Sequence, residues 1–250
     1  MAVLEDMLLT IAATAALLLF VQKLAAFADE TWLDRVGWRA LLATTGWIGV
    51  PVHEGAHAVA CVLTGRKIRE LRLLAPDKQT GVLGYVMWEP GTGPVAWLAE
   101  LFVGLAPLLA SLLAMLLLAW QEGGHWPTHT TDPQTLAHDL KQLGSVAAEH
   151  VAAGGWTRTE TFLRGYAMVA IAAHGVPSRA DLQGTWRGMS LVVVAGLLIW
   201  GAGRLLHLPL GFQLLKLVTQ ACGAIVPALV IALVALMLRW IVARLFPSPN

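Results

Sequence analysis

The stretch from Ala40 to Thr64, ALLATTGWIGVPVHEGAHAVACVLT, decides how the chain is read. It is long enough for a bilayer span, and its apolar character is broken only by Glu54 and the histidines His53 and His57. Such side chains are costly inside an apolar span and are a mark of function there. Their order is H-E-x-x-H. On a helix, positions i and i+4 share a face, so both imidazoles can reach one zinc ion, and Glu54 stands where it can take a proton from a water beside it. Chance alone would produce this pattern in about one chain in a hundred of this composition. Pro51, with Gly46 and Gly49, either loosens the helix and admits water or is an ordinary membrane-helix proline.

The remaining composition agrees with a membrane setting. Of 250 residues, 57% are hydrophobic and 13% charged, against about 25% charged in soluble domains. This excludes an ordinary soluble globule, and the same numbers exclude a disordered chain. A net charge of +1 offers no electrostatic case for nucleic acid. Cys61 and Cys222 both lie in apolar runs and cannot form a disulfide framework or a cysteine zinc site. The chain is therefore expected to be a mainly α, polytopic protein of the cell membrane, with the lipid bilayer as its solvent.

About six transmembrane or half-membrane helices are expected within a single membrane-embedded domain, 1–250. They are 7–28, 40–64, 95–120, a broken helix over 161–187, 188–207, and 211–246 with a kink at Pro227. Ala26-Phe27-Ala28 resembles a signal-peptide cleavage site, but Glu5 and Asp6 are the wrong charge for the region before one. Between the spans, 66–90 reads as a β-hairpin, with strands Lys67–Leu74 and Val82–Trp88 around a turn at 76–81. The stretch 121–160 reads as an extramembrane insert with one or two short helices. The five basic residues of the hairpin place it on the cytoplasmic side and the insert outside; Arg239 and Arg244 put the C-terminus inside, and six segments put the N-terminus inside too.

A catalytic zinc needs a third protein ligand and an open position for water. Asp181, Glu100, His174 and His150 are the candidates. Asp181 follows a short apolar segment and Pro177, as in a broken span lining a wet cavity; it could also be a loop aspartate capping the next helix. Glu100 lies 43 residues beyond His57, a separation open to glutamate-ligand zincins. His125, His129, His138 and His150 are spread over 26 positions and read as solvated.

These residues resemble those of the site-2 proteases, the M50 family of intramembrane zinc metalloproteases, especially its compact M50B-like branch. The resemblance runs from Val52-His53-Glu54-Gly55-Ala56-His57-Ala58 through Leu63-Thr64-Gly65-Arg66 and the Pro76–Gly84 hairpin into Gly104-Leu105-Ala106-Pro107. The rest agrees in segment order. The family's later motif, N-x-x-P-x-P-x-L-D-G, is matched at Pro177. His174 replaces its asparagine, Arg179 its second proline, Asp181 falls one residue early and Gly184 is not adjacent. The asparagine's role does not transfer, and no PDZ-like domain fits the insert.

The resemblance implies a zinc metalloendopeptidase. Zn2+ would be held by His53, His57 and Asp181, with Glu54 as the catalytic base. The substrate would be a transmembrane protein whose unwound helix adds as a strand to the hairpin. Two other readings stay open. One is a glutamate-ligand membrane zincin, using Glu100, that acts on soluble or unfolded protein. The other is a non-catalytic membrane scaffold that contains zinc. No inverted repeat supports a carrier or channel.

Overall fold

Gly37, with a φ of 93°, lets the chain turn sharply out of its first helix, α1 (Ala2–Arg35), into the run that carries the histidines. The computed structural model describes residues 2–77, 82–121, 159–206 and 210–246. After α1 come a short α2 (Trp38–Leu41), a π-helical turn (Leu42–Gly46) and α3 (Trp47–Leu63). Then follow β1 (Ile68–Arg72), β2 (Tyr85–Trp88), α4 (Pro94–Gln121), α5 (Thr159–His174), α6 (Arg179–Leu205) and α7 (Leu210–Leu245).

Among the described residues, four helices contain stretches long and apolar enough to cross a membrane: Leu8–Arg35, Pro94–Ala114, Arg179–Gly203 and Lys216–Leu245. The described residues thus offer four such stretches, and the expected count of about six, which included half-membrane helices, goes beyond them. α5, with 16 residues, is about 24 Å long against a hydrocarbon core of about 30 Å, whereas α3 continues the helical backbone that begins at Trp38. The π-helical turn lies inside the expected 40–64 segment without breaking it, since Leu41, Leu42, Gly46 and Trp47 all keep helical φ and ψ. The expected insert, with His125, His129, His138 and His150, lies almost wholly outside the described residues.

Packing pairs α1 with α7 and α4 with α6, and α3 lies against α4 and α5. The seams are made of small residues. Ala28, Ala172, Ala228 and Ala232 are buried with Val21, Leu108, Leu229 and Leu236 in one cluster. Large side chains such as Leu197 and Leu198 point outward. Lipid tails are as apolar as leucine, so close backbone approach, rather than burial of bulk, holds helices together in a bilayer. Arg239 of α7 is buried and donates to the Asp29 carboxylate of α1, which ties that pair together.

Gly65 ends α3 with a φ of 68°. The Arg66 N–H donates to the Cys61 carbonyl (2.7 Å) and the Gly65 N–H to Val62 (3.1 Å), the pattern of a Schellman stop. The chain then enters an antiparallel hairpin that pairs Ile68 with Trp88 and Arg72 with Tyr85, with an irregularity between Ile68 and Glu70. Both strands are shorter than expected. Past them, Ala75 and Asp77 still donate to Leu83 and Val82. A Cβ on Gly84 would meet the Leu73 carbonyl at 2.7 Å and Val50 at 2.9 Å, so this glycine lets the hairpin press on α3. Arg72 and Tyr85 donate to Glu70 at 3.0 and 2.9 Å and hold its carboxyl below its ordinary range.

Candidate metal centre

One turn of α3 separates His53 from His57, and their Nε2 atoms lie 3.3 Å apart. The start of α6 meets them. Asp181 Oδ1 is 3.1 Å from His57 Nε2, and Oδ2 is 3.5 Å from His53 Nε2. His53, His57 and Asp181 could therefore hold a metal ion.

The tautomers decide what this cluster can do. His53 Nδ1–H donates to the His174 carbonyl at 2.6 Å, and His57 Nδ1–H to the Val103 carbonyl at 2.8 Å. A carbonyl only accepts, so both protons sit on Nδ1. In the neutral rings, two Nε2 lone pairs then converge on a carboxylate with no proton among them. Three acceptors packed so closely repel one another unless a cation lies between them, and outer hydrogen bonds of this kind orient metal-binding histidines. The His57 ring also stacks on Trp88 of β2, with centroids 6.0 Å apart.

Asp181 has two tasks. Ser178 caps α6, accepting from the Asp181 N–H at 3.2 Å, and Asp181 Oδ2 accepts in return from the Ser178 N–H at 2.7 Å. This reciprocal capping box fixes the carboxylate's position while leaving Oδ1 turned to His57. The capping reading and the ligand reading of Asp181 are thus compatible. The break in the chain is confined to 175–178, with Pro177 fully buried, and α6 runs on through Gly184 and Gly188. An isolated glycine costs a helix only about 1 kcal/mol, so Gly184 does not interrupt it.

The other candidates lie elsewhere. Glu100 is on α4 and does not join the cluster. His174 ends α5, where its ring is hydrogen-bonded to the Thr45 hydroxyl (3.0 Å), while its carbonyl holds His53. His150 lies outside the described residues. Glu54 is buried and lines a cavity of about 510 Å³ together with His53, His57 and Asp181. That cavity is also walled by β2, by the 175–178 break and by α1. The carbonyl partners, Ser178, Trp88 and the α1 wall were not anticipated. Only Ser178 left a signal, the S-x-x-D spacing before an apolar run.

Close backbone approach sets these distances. A Cβ on Gly49 would meet the Ala170 carbonyl and His174, and one on Gly104 would meet Thr185 and the Asp181 carbonyl, 2.5 Å away. Gly104→Ala is accordingly expected to lower stability by about 1–3 kcal/mol and to weaken metal binding about tenfold, as loss of an outer-shell contact does. Gly196→Ala, where an added Cβ meets nothing, should leave metal binding unchanged and raise stability by up to about 1 kcal/mol. Thermal unfolding and metal titration of both variants check this.

No family model matches the chain, and neither does a characterised protein or a solved structure.

Proposed function

We propose that the protein is an intramembrane zinc metalloprotease of the site-2 type, cleaving peptide bonds in or near transmembrane segments. The observation that carries this reading is the convergence of two Nε2 lone pairs and one carboxylate beside the buried Glu54. The donor set suits zinc. Separations of 3.1, 3.3 and 3.5 Å are close to the roughly 3.3 Å edge of a tetrahedron with bonds of about 2.0 Å. A nitrogen, nitrogen, oxygen set with one side open to a cavity is a catalytic rather than a closed structural arrangement.

Zinc held there would polarise a carbonyl and acidify water, chemistry that the side chains alone lack. The residues supply the rest. Glu54 accepts a proton from the attacking water as its oxygen bonds to the scissile carbonyl carbon. As the C–N bond breaks, Glu54 delivers that proton to the leaving nitrogen, giving an amine and a carboxylic acid whose remaining proton then passes to the amine. β2 lines the cavity, no residue of β1 does, and the sheet has only these two strands among the described residues. The outer edge of β2 can therefore take an unwound substrate segment as a third strand, supplying the backbone partners that lipid cannot.

The test is metal analysis of purified protein with a cleavage assay on a synthetic transmembrane peptide. We expect bound zinc, loss of cleavage on adding a chelator and its return with zinc. A metal-free protein, or cleavage that survives complete chelation, would overturn the reading. Stoichiometric zinc without cleavage would favour the scaffold.

A further inference from the structure

We propose that Gln22 of α1 binds the main chain of the substrate, an inference that rests on the protease reading above. Gln22 is only 8% exposed, yet it lines the same cavity as the metal cluster. Its carboxamide makes no hydrogen bond to any described residue. A glutamine serving to join helices in a bilayer would be bonded to its neighbour. This one lines open space instead.

The geometry of α1 explains what that space suits. Gln22, Ala25, Ala26 and Asp29 all line the cavity, and their spacing of i, i+3, i+4 and i+7 puts them on one helix face. Two alanines between two polar residues leave a trough rather than a ridge. Asp29 is committed to Arg239, so Gln22 is the member of this face left to engage a ligand.

The chemistry it fits is a peptide unit. A carboxamide offers both a donor and an acceptor, as the main chain does. When a segment adds to the edge of β2, half of its N–H and C=O groups point to β2 and half point away. In a dry cavity the outward groups are costly unless they are met. Gln22 can meet one such unit whatever the substrate's side chains, which fits a protease that reads conformation more than sequence.

Gln22→Met keeps the side chain's size and removes both hydrogen-bonding groups. We expect KM for a synthetic transmembrane peptide to rise about tenfold, kcat to stay within about twofold, and zinc affinity and unfolding temperature to be unchanged. A second arm replaces peptide bonds flanking the scissile bond by esters, one at a time. The wild type should be weakened by an ester at one position more than Gln22→Met is. An unchanged KM, identical ester profiles, or loss of zinc and stability together with activity would each overturn the proposal. If the wild type cleaves while the two profiles coincide, only the role of Gln22 fails. If the wild type neither holds zinc nor cleaves, the protease reading fails and this inference with it.

Discussion

Glu54→Gln is expected to yield a protein that binds metal as the parent does and cleaves about a hundred- to ten-thousand-fold more slowly, the usual span of a general base. Glutamine keeps the shape of the side chain and loses the ability to take a proton. Glu54 is buried against the cavity and is not among the three residues whose ligand atoms converge. Metal content should therefore stay level while kcat falls and KM holds. Parallel metal analysis and steady-state kinetics on a model transmembrane peptide measure both. Retention of wild-type turnover would remove Glu54 from the reaction, and loss of metal together with activity would make it a ligand.

The second large effect belongs to Asp181. Asp181→Ala should weaken zinc binding by more than about a hundredfold, because loss of an outer-shell partner alone costs about 10- to 100-fold. Glu100→Ala should leave binding near the parent's, since Glu100 stands apart from the cluster. The double task of Asp181 calls for a third variant. Asp181→Asn can still accept from the Ser178 N–H, so α6 should keep its cap, and stability should fall by less than the roughly 1 kcal/mol of a lost cap. It gives up the negative charge that faces His57. Zinc titration beside thermal unfolding separates the two tasks. Equal affinity in Asp181→Ala and the parent, with a drop in Glu100→Ala, would restore the glutamate-ligand reading.

The two histidines and Glu54 were legible because an α-helical spacing needs nothing beyond local sequence. The hairpin was legible for a similar reason: a turn-rich centre lies between two strand-like runs. Its approach to α3, where Gly84 lies close against Val50, is a contact between distant parts of the chain and was not legible. The π-helical turn at Leu42–Gly46 escaped notice, since reading a period of 3.6 assumes that no residue is added to a turn. Asp181 was legible as a candidate but not as a choice over Glu100, because which carboxylate arrives depends on how α4 and α6 pack. The pairing of Asp29 with Arg239 and the burial of Gln22 beside the cavity are likewise consequences of α1 meeting its neighbours, which no local pattern encodes.

The carbonyls that hold the two imidazoles belong to the main chain, at His174 and Val103. No change in the genetic code's side-chain alphabet can delete them. The orientation of the rings is therefore insulated from point substitution at the positions that support it. The vulnerability moves to the spacing of the helices, where Gly49 and Gly104 admit no added carbon. Apart from the ligands and Glu54 themselves, heritable damage to this centre would then fall on two residues that bear no functional group at all, while the residues that donate the carbonyls could vary in side chain and leave the rings where they are.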